Sequence, residues 1–187
     1  MTDNILTPEF RASFTYVFVP QKAMEAGKPD KYSVTMLFPK NADLSALKKA
    51  ATDALQEKFG SRLADPVKGP ALKARLRSPF RDQGEKTYDG YVPGSIFVTA
   101  TSKNKPGLVD QNLQDIVDPS QFYSGVYARA TLRAFAYEQA GNVGVSFGLQ
   151  NIQKLRDGES LSGRLKAQDE FEPVKAEGPV ATGGMFD

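Results

Sequence analysis

The sequence predicts a mainly β fold, a small antiparallel barrel or sandwich with one helix between its strands. Two runs with strand alternation precede a single segment of helical spacing, and two longer alternating runs follow it. Segments rich in glycine and proline separate these elements, as is typical of small β domains. The 187 residues suffice for a hydrophobic core without disulfides.

The first two strands form a predicted hairpin. Residues 9–19 and 31–39 alternate apolar and polar side chains, and a polar segment with Gly27 and Pro29 joins them. In the first strand this alternation places five side chains on one face: Phe10, Ala12, Phe14, Tyr16 and Phe18.

The predicted helix covers residues 44–59, where apolar side chains recur at helical spacing. Asn41 or Asp43 can cap its start, because a short polar side chain accepts hydrogen bonds from free N–H groups of the first turn. Gly60 suits its end. Residues 61–94 contain many prolines and glycines, and we expect mostly loops there around one short strand near residues 74–80.

The second half of the chain carries the remaining strands. Residues 95–102 form one strand, 108–109 begin a short one, and 126–138 with 143–155 form a hairpin. One helix between about five strands is typical of an OB-type barrel, although six or seven strands also fit. Residues 172–187 lack periodicity, so we expect one domain over 1–171 followed by a disordered acidic C-terminal tail.

The composition argues against most kinds of catalysis. The chain has no histidine and no cysteine, which removes the usual general base, the thiol nucleophile and zinc sites. Asp110, Asp115 and Asp118 lack the spacing of a calcium loop. We therefore expect a protein that is not an enzyme and has neither cofactor nor metal. No apolar run approaches the length of a membrane span, and no signal peptide is evident, so a cytoplasmic location is expected.

The charge is unevenly distributed along the chain. Residues 1–168 contain 23 basic and 17 acidic side chains, whereas residues 169–187 contain one basic and five acidic side chains. A basic body suggests a polyanionic partner, although a solvated surface could have the same charge. The last residues could compete for that basic surface or offer an apolar side chain to a partner protein. The residues concerned are Asp169, Glu170, Glu172, Phe186 and Asp187.

Residues 126–138 carry the strongest indication of a binding surface. One face of this predicted strand is small and apolar, and the other holds Tyr127, Arg129, Thr131, Arg133, Phe135 and Tyr137. Single-stranded DNA offers unpaired bases that stack on aromatic rings and phosphates that bind arginine. We predict DNA contacts for Tyr127, Arg129 and Arg133, while burial in a second layer is favoured for Phe135 and Tyr137.

Further candidates lie in the long central loops. Basic and aromatic side chains alternate there: Lys73, Arg75, Arg77, Phe80, Arg81, Lys86, Tyr88 and Tyr91. Such a loop beside a barrel could form a nucleic-acid groove, or it could be a solvated loop whose tyrosines anchor it to the core. Lys103 and Lys105 could extend the same positive surface, and Tyr123 could stack a base or belong to the core.

Three blocks of the sequence resemble a family of tailed-phage single-stranded DNA-binding proteins, formerly a domain of unknown function. The blocks are KYSVTMLFPK, SPFRDQGEKTYDGYVPGSIFVTATSKNKPGLVD and FYSGVYARATLRAFAYEQAGNVGVSFGLQNIQKLRDGESLSGR, and the similarity spans residues 8–172. The resemblance implies an OB-fold core that binds DNA, without catalysis, during phage replication or recombination in the host cytoplasm.

Alternatives remain open at this point. A recombination mediator that anneals strands would share the DNA-binding surface but would also need protein partners. A structural β-barrel protein of the virion would form large oligomers without affinity for DNA, and self-association is open in every case.

Overall fold

Strands make up most of the ordered elements in the computed structural model, which describes residues 3–162 and 170–174. The strands are β1 (Ile5–Leu6), β2 (Phe10–Gln21), β3 (Lys31–Leu37), β4 (Leu76–Arg77), β5 (Arg81–Asp82), β6 (Ile96–Ser102), β7 (Gly107–Val109), β8 (Tyr127–Gln139) and β9 (Asn142–Arg156). The helices are α1 (Ser45–Ala64) and α2 (Lys68–Ala74). Within the described residues no helix is long and apolar enough to cross a membrane.

The long strands pair in the order β8-β2-β3-β6-β9, and β9 also pairs with β8. The β8–β2, β2–β3, β3–β6 and β8–β9 pairs are antiparallel, which confirms both predicted hairpins. However, β9 runs parallel to β4, β6 and β7, so the prediction of a wholly antiparallel sheet is wrong. Hairpin patterns report only pairs that are close in sequence, whereas these parallel pairs join distant strands.

The core lies between the sheet and α1. The small apolar face of β8 is buried as predicted, from Val126 to Ala134 at alternate positions. Helix α1 buries Leu47, Ala51 and Ala54 in the same cluster. Just before its start, Asp43 Oδ1 accepts from the Ser45 N–H at 3.0 Å. Hydrogen bonds from the side chain and the backbone of Ser45 lower the pKa of Asp43.

The predicted helix end and the single-helix prediction are both wrong. Helix α1 continues through Gly60 to Ala64, because the chain can remain helical until Asp65, which precedes Pro66 and is extended. Asp65 Oδ1 then accepts from the N–H groups of Val67 and Lys68 at 2.8 and 2.9 Å and opens α2. These bonds hold the pKa of Asp65 below its usual value.

Helix α2 packs closely on α1 through Gly69. A Cβ atom there would lie 2.5 Å from the Leu63 carbonyl oxygen, so only glycine fits. Pro70 is tolerated because it lies in the first turn, where the N–H groups have no helical partner. Gly69 and Pro70, which favoured a loop in the sequence, thus belong to a helix, and Lys73 lies on that helix.

A β-bulge divides β2. The register with β3 shifts between Ser13 and Tyr16, and Phe14 has a φ of +48°. Phe10 and Ala12 before the bulge and Val17 after it are buried, whereas Phe14 is 41% exposed. The extra residue at a bulge reverses the alternation, so the prediction that Phe14 shares the face of Phe10 is wrong.

Candidate nucleic-acid interface

Residues 82–95 form a loop that is fixed firmly to the sheet. The buried Gln83 donates from Nε2 to the carbonyls of Phe38 and Ile96 at 3.0 and 2.9 Å, and its Oε1 accepts from the Val92 N–H at 2.9 Å. Asp82 Oδ1 accepts from the Gly84 and Gly94 N–H groups, which lowers the Asp82 pKa. The loop therefore holds its side chains in place before any ligand arrives.

Two hollows meet at Thr99, which lines both, and together we call them the groove; Glu85 of the loop lines the first of them. The first hollow, of about 570 Å³, is bordered by Arg77, Phe80, Arg81 and Tyr137. The second, of about 510 Å³, lies between the β2–β3 and β8–β9 hairpins. Its lining includes Lys22, Lys28, Lys31, Ser33, Thr101, Lys103 and Gln139.

The groove carries positive charge that the described residues leave unneutralised. Arg81 pairs with Glu85, and Lys28 pairs with Glu25. Within residues 3–162 and 170–174, no ion pair involves the other groove cations, which are Lys22, Lys31, Arg77 and Lys103. Hydroxyl groups on the sheet lie between these cations, so the groove can bind phosphate oxygens by both charge and hydrogen bonds.

The groove brings together four of the residues predicted from sequence: Arg77, Phe80, Arg81 and Lys103. Phe80 is half-buried, with its ring 5.8 Å from Phe147 in an edge-on contact. Sequence reasoning missed Lys22 and Lys31, because a lysine in a hairpin connection or at a strand end has no distinguishing pattern. Tyr137 also lines the groove, and Gly144 makes room for it: a Cβ there would lie 2.7 Å from the Tyr137 hydroxyl.

The outer face of β8 continues from Tyr137 along the sheet. Arg129 and Arg133 are exposed, and each donates to a neutral side chain, Arg129 to Gln153 at 2.8 Å and Arg133 to Asn4 at 3.3 Å. Phe135 is 47% exposed, so its favoured burial is wrong. The residue opposite it on β9 is Ser146, which is too small to cover an aromatic ring.

Four rings form a continuous row above the sheet, which we call the aromatic row: Phe14, Tyr88, Tyr91 and Phe97. Their successive ring centres are 5.1, 5.5 and 5.9 Å apart. Tyr91 donates to Ser13 Oγ at 3.2 Å, and partial burial raises the pKa of its hydroxyl. Of the sequence predictions, Tyr88 and Tyr91 therefore lie together, and Phe14 joins them through the bulge.

A family model described as the single-stranded DNA-binding protein of Enterobacter phage Enc34 matches residues 3–180. The chain belongs to this family. The resemblance noted in the sequence is thereby confirmed. A curated relative, "Putative protein p50" of Acyrthosiphon pisum secondary endosymbiont phage 1, is 29% identical over 168 residues, which cover 88% of this chain and 90% of that protein.

Solved structures of phage proteins share the fold. The Enc34 single-stranded DNA-binding protein in complex with ssDNA aligns with a TM-score of 0.61 at 19% identity, over 85% of this chain and 89% of that one. The single-stranded DNA-binding protein gp2.5 of bacteriophage T7 aligns with a TM-score of 0.58 at 13% identity, over 88% and 98% of the two chains.

In this member of the Enc34 family, the aromatic rings at the start of β8 contact cations of the chain itself, which among the described residues the rings of the groove do not. The Arg156 guanidinium lies 4.0 Å from the centre of the Tyr127 ring and pairs with Glu9 at 2.6 Å. The Lys154 ammonium lies 5.8 Å from the Tyr123 ring, whose hydroxyl donates to the Gly158 carbonyl at 2.8 Å. We call this cluster the covered end, because cations of the chain itself already lie near both rings.

The remaining candidates do not line the groove. Lys73 and Arg75 are exposed at α2, and Arg75 donates to the Gly141 carbonyl at 3.5 Å. Lys86 is half-buried in the loop, and the Lys105 ammonium lies 5.9 Å from the Phe18 ring. Of the C-terminal residues, Glu170 and Glu172 are exposed, whereas Asp169, Phe186 and Asp187 lie outside the described residues.

Proposed function

We propose that this chain binds single-stranded DNA with little sequence preference, without catalysis, during phage DNA replication or recombination. The observation that carries the proposal is the groove, in which unpaired cations lie beside hydroxyl groups and the rings of Phe80 and Tyr137. Phosphate contacts carry no sequence information, and every base offers a face for stacking. Membership of the Enc34 family supports the same ligand.

The fold proposed for this function is an OB-type barrel over residues 1–171. Strands β2, β3, β6, β8 and β9 pair in a ring, because β9 returns to β8, and five strands with a helix between two of them are typical of this barrel. The outer faces of β3, β6 and β9 then form the floor of the groove. In this proposal the phosphates follow the groove cations, and the outer face of β8 adds Arg129 and Arg133.

The wild-type chain provides the first test. Fluorescence anisotropy with labelled oligo-dT and oligo-dC should show binding that weakens with salt, with a slope of about −0.7 per phosphate contact. A duplex of the same length measures the preference for unpaired strands. Absence of binding at low ionic strength would refute the proposal, and large stable oligomers without DNA affinity would favour a structural role in the virion.

We also propose that the acidic C-terminal residues compete with DNA for the groove. Residues 169–187 contain five acidic side chains and one basic one, whereas four groove cations have no ion-pair partner among the described residues. A chain that ends at Gln168 lacks all five of these acidic residues and should then bind oligo-dT more tightly than the full chain, most clearly at low salt. Equal affinities of the two chains would contradict competition and favour recruitment of replication or recombination proteins by these residues.

A further inference from the structure

Phe14 has a backbone conformation that its side chain makes unfavourable. At a φ of +48° it lies in the left-handed region, where a bulky L-residue is an outlier and glycine is unstrained. The bulge itself bends β2, and a glycine would provide the same bend with less strain. The architecture therefore does not explain why a phenylalanine stands here.

The bulge turns the Phe14 ring outward, against Tyr88. The two ring centres are 5.1 Å apart at an interplanar angle of 74°, and the residues are 41% and 51% exposed. Both line a hollow of about 580 Å³. Two exposed rings at one hollow are shielded from water only if a further flat or apolar group enters it.

The other residues of this hollow indicate what that group is. Hydroxyl-bearing side chains line much of it, namely Ser13, Thr15, Tyr16, Thr87, Ser124 and Ser162. Among the described lining residues the charged one is Asp89, which repels phosphate. Rings and hydroxyls without a cation suit a neutral, flat, hydrogen-bonding ligand, which is the chemistry of a nucleobase.

The aromatic row connects this hollow to the groove. Tyr88 contacts Tyr91, Tyr91 contacts Phe97, and the Arg81 guanidinium lies 5.4 Å from the centre of the Phe97 ring. Arg81 in turn lines the groove. These contacts link the hollow to the groove through packed rings, of which Phe97 itself is buried.

We propose that Phe14 and Tyr88 form a subsite that stacks an unpaired nucleobase, and that the strained conformation of Phe14 is retained for this stacking. The inference rests on the proposed binding of single-stranded DNA and adds to it a site that does not bind phosphate. Stacking here strengthens binding without adding to its dependence on salt.

The substitution Phe14→Gly tests this directly, because it removes the ring and the strain together. We expect a thermal unfolding midpoint close to that of wild type, whereas the affinity for oligo-dC falls by about tenfold. The slope of affinity against salt should not change, because the variant still binds the same phosphates. Phe14→Tyr keeps the ring and should restore the affinity.

Tyr88→Leu gives a second measurement that does not depend on the bulge, since Tyr88 is exposed. Its affinity for oligo-dC should fall similarly, whereas Tyr88→Phe keeps the ring and should bind as wild type does. The fluorescence of a 2-aminopurine in the oligonucleotide gives a further measurement. It should be less quenched on binding to Phe14→Gly or Tyr88→Leu than on binding to wild type. If the wild type binds DNA and both variants bind and quench equally well, the subsite is refuted and the proposed function stands. If the wild type does not bind, the proposed function itself fails.

Discussion

The groove and the covered end both contain aromatic rings and cations, but they differ in whether the cations already contact other groups of the chain. At the covered end, Arg156 lies over Tyr127 and pairs with Glu9, and Lys154 lies near Tyr123. In the groove, Arg77 and Lys103 have no ion-pair partner among the described residues, and Tyr137 borders an open hollow. Alternation of rings and cations in the sequence therefore occurs both where the chain's own groups contact each other and where cations lack a carboxylate partner among the described residues.

At the covered end, DNA would have to compete with contacts that the chain already makes, whereas at the unpaired cations of the groove it would not. A base that stacks on Tyr127 must first displace a guanidinium, and that guanidinium would also leave its carboxylate partner. A phosphate that enters the groove displaces water and small ions from cations that bind no carboxylate. We therefore expect DNA affinity to depend mainly on the groove and folding stability to depend more on the covered end.

The largest effect is expected from Arg77→Ala combined with Lys103→Ala. Affinity for oligo-dT at low ionic strength should fall by more than about tenfold, and the salt dependence should flatten by about 0.7 for each phosphate that the variant no longer binds. Both side chains are exposed, so the free energy of unfolding should change little.

Lys49→Ala provides the matched control for this pair of substitutions. It also removes one positive charge, but from the exposed surface of α1, where Lys49 pairs with Asp53 at 2.6 Å. If Lys49→Ala weakens binding per charge as much as the groove substitutions do, the net charge of the chain and not the groove governs affinity.

A smaller effect is expected from Arg129→Ala combined with Arg133→Ala. Both guanidiniums are charged and exposed, but each already donates to a neutral side chain that a phosphate would have to replace. Affinity for oligo-dT should fall several-fold, with a flatter salt dependence, in the same anisotropy titration. A loss larger than that of the groove pair would instead place the main DNA path along β8.

Sequence patterns predicted those features that depend on near neighbours in the chain. Alternation in β8 correctly separated its small buried face from its polar face, and the turn at Ala140 and Gly141, both with positive φ, closes the predicted hairpin. Arg77 and Phe80, which line the first hollow, were named as candidates from the alternation of basic and aromatic side chains alone.

Features that depend on distant residues escaped sequence reasoning. Phe135 is exposed because the residue opposite is Ser146, and Phe14 is exposed because β2 bulges against β3 between Ser13 and Tyr16. Gly69 and Pro70 suggested a loop, whereas close packing on Leu63 makes the glycine part of a helix. Arg156 lies opposite Tyr127 at the open end of the predicted β8–β9 hairpin, but a register shift between Tyr127 and Ala128 precedes this pair, so the pattern alone does not show that Arg156 lies over the ring.

The smallest effect on DNA binding is expected from Arg156→Ala. This substitution tests the expectation that the covered end contributes to stability and not to DNA binding. It removes an exposed ion pair and a cation–π interaction, which together contribute about 1 kcal/mol, so urea unfolding should show a loss of that size. Affinity for oligo-dT should stay within about twofold of wild type. Arg156→Lys keeps a charge near Glu9 but removes the planar stack on Tyr127, so its stability should lie between those of wild type and Arg156→Ala. A fall in affinity comparable with that of the groove pair would mean that Arg156 leaves Tyr127 when DNA arrives, and that the covered end opens to DNA.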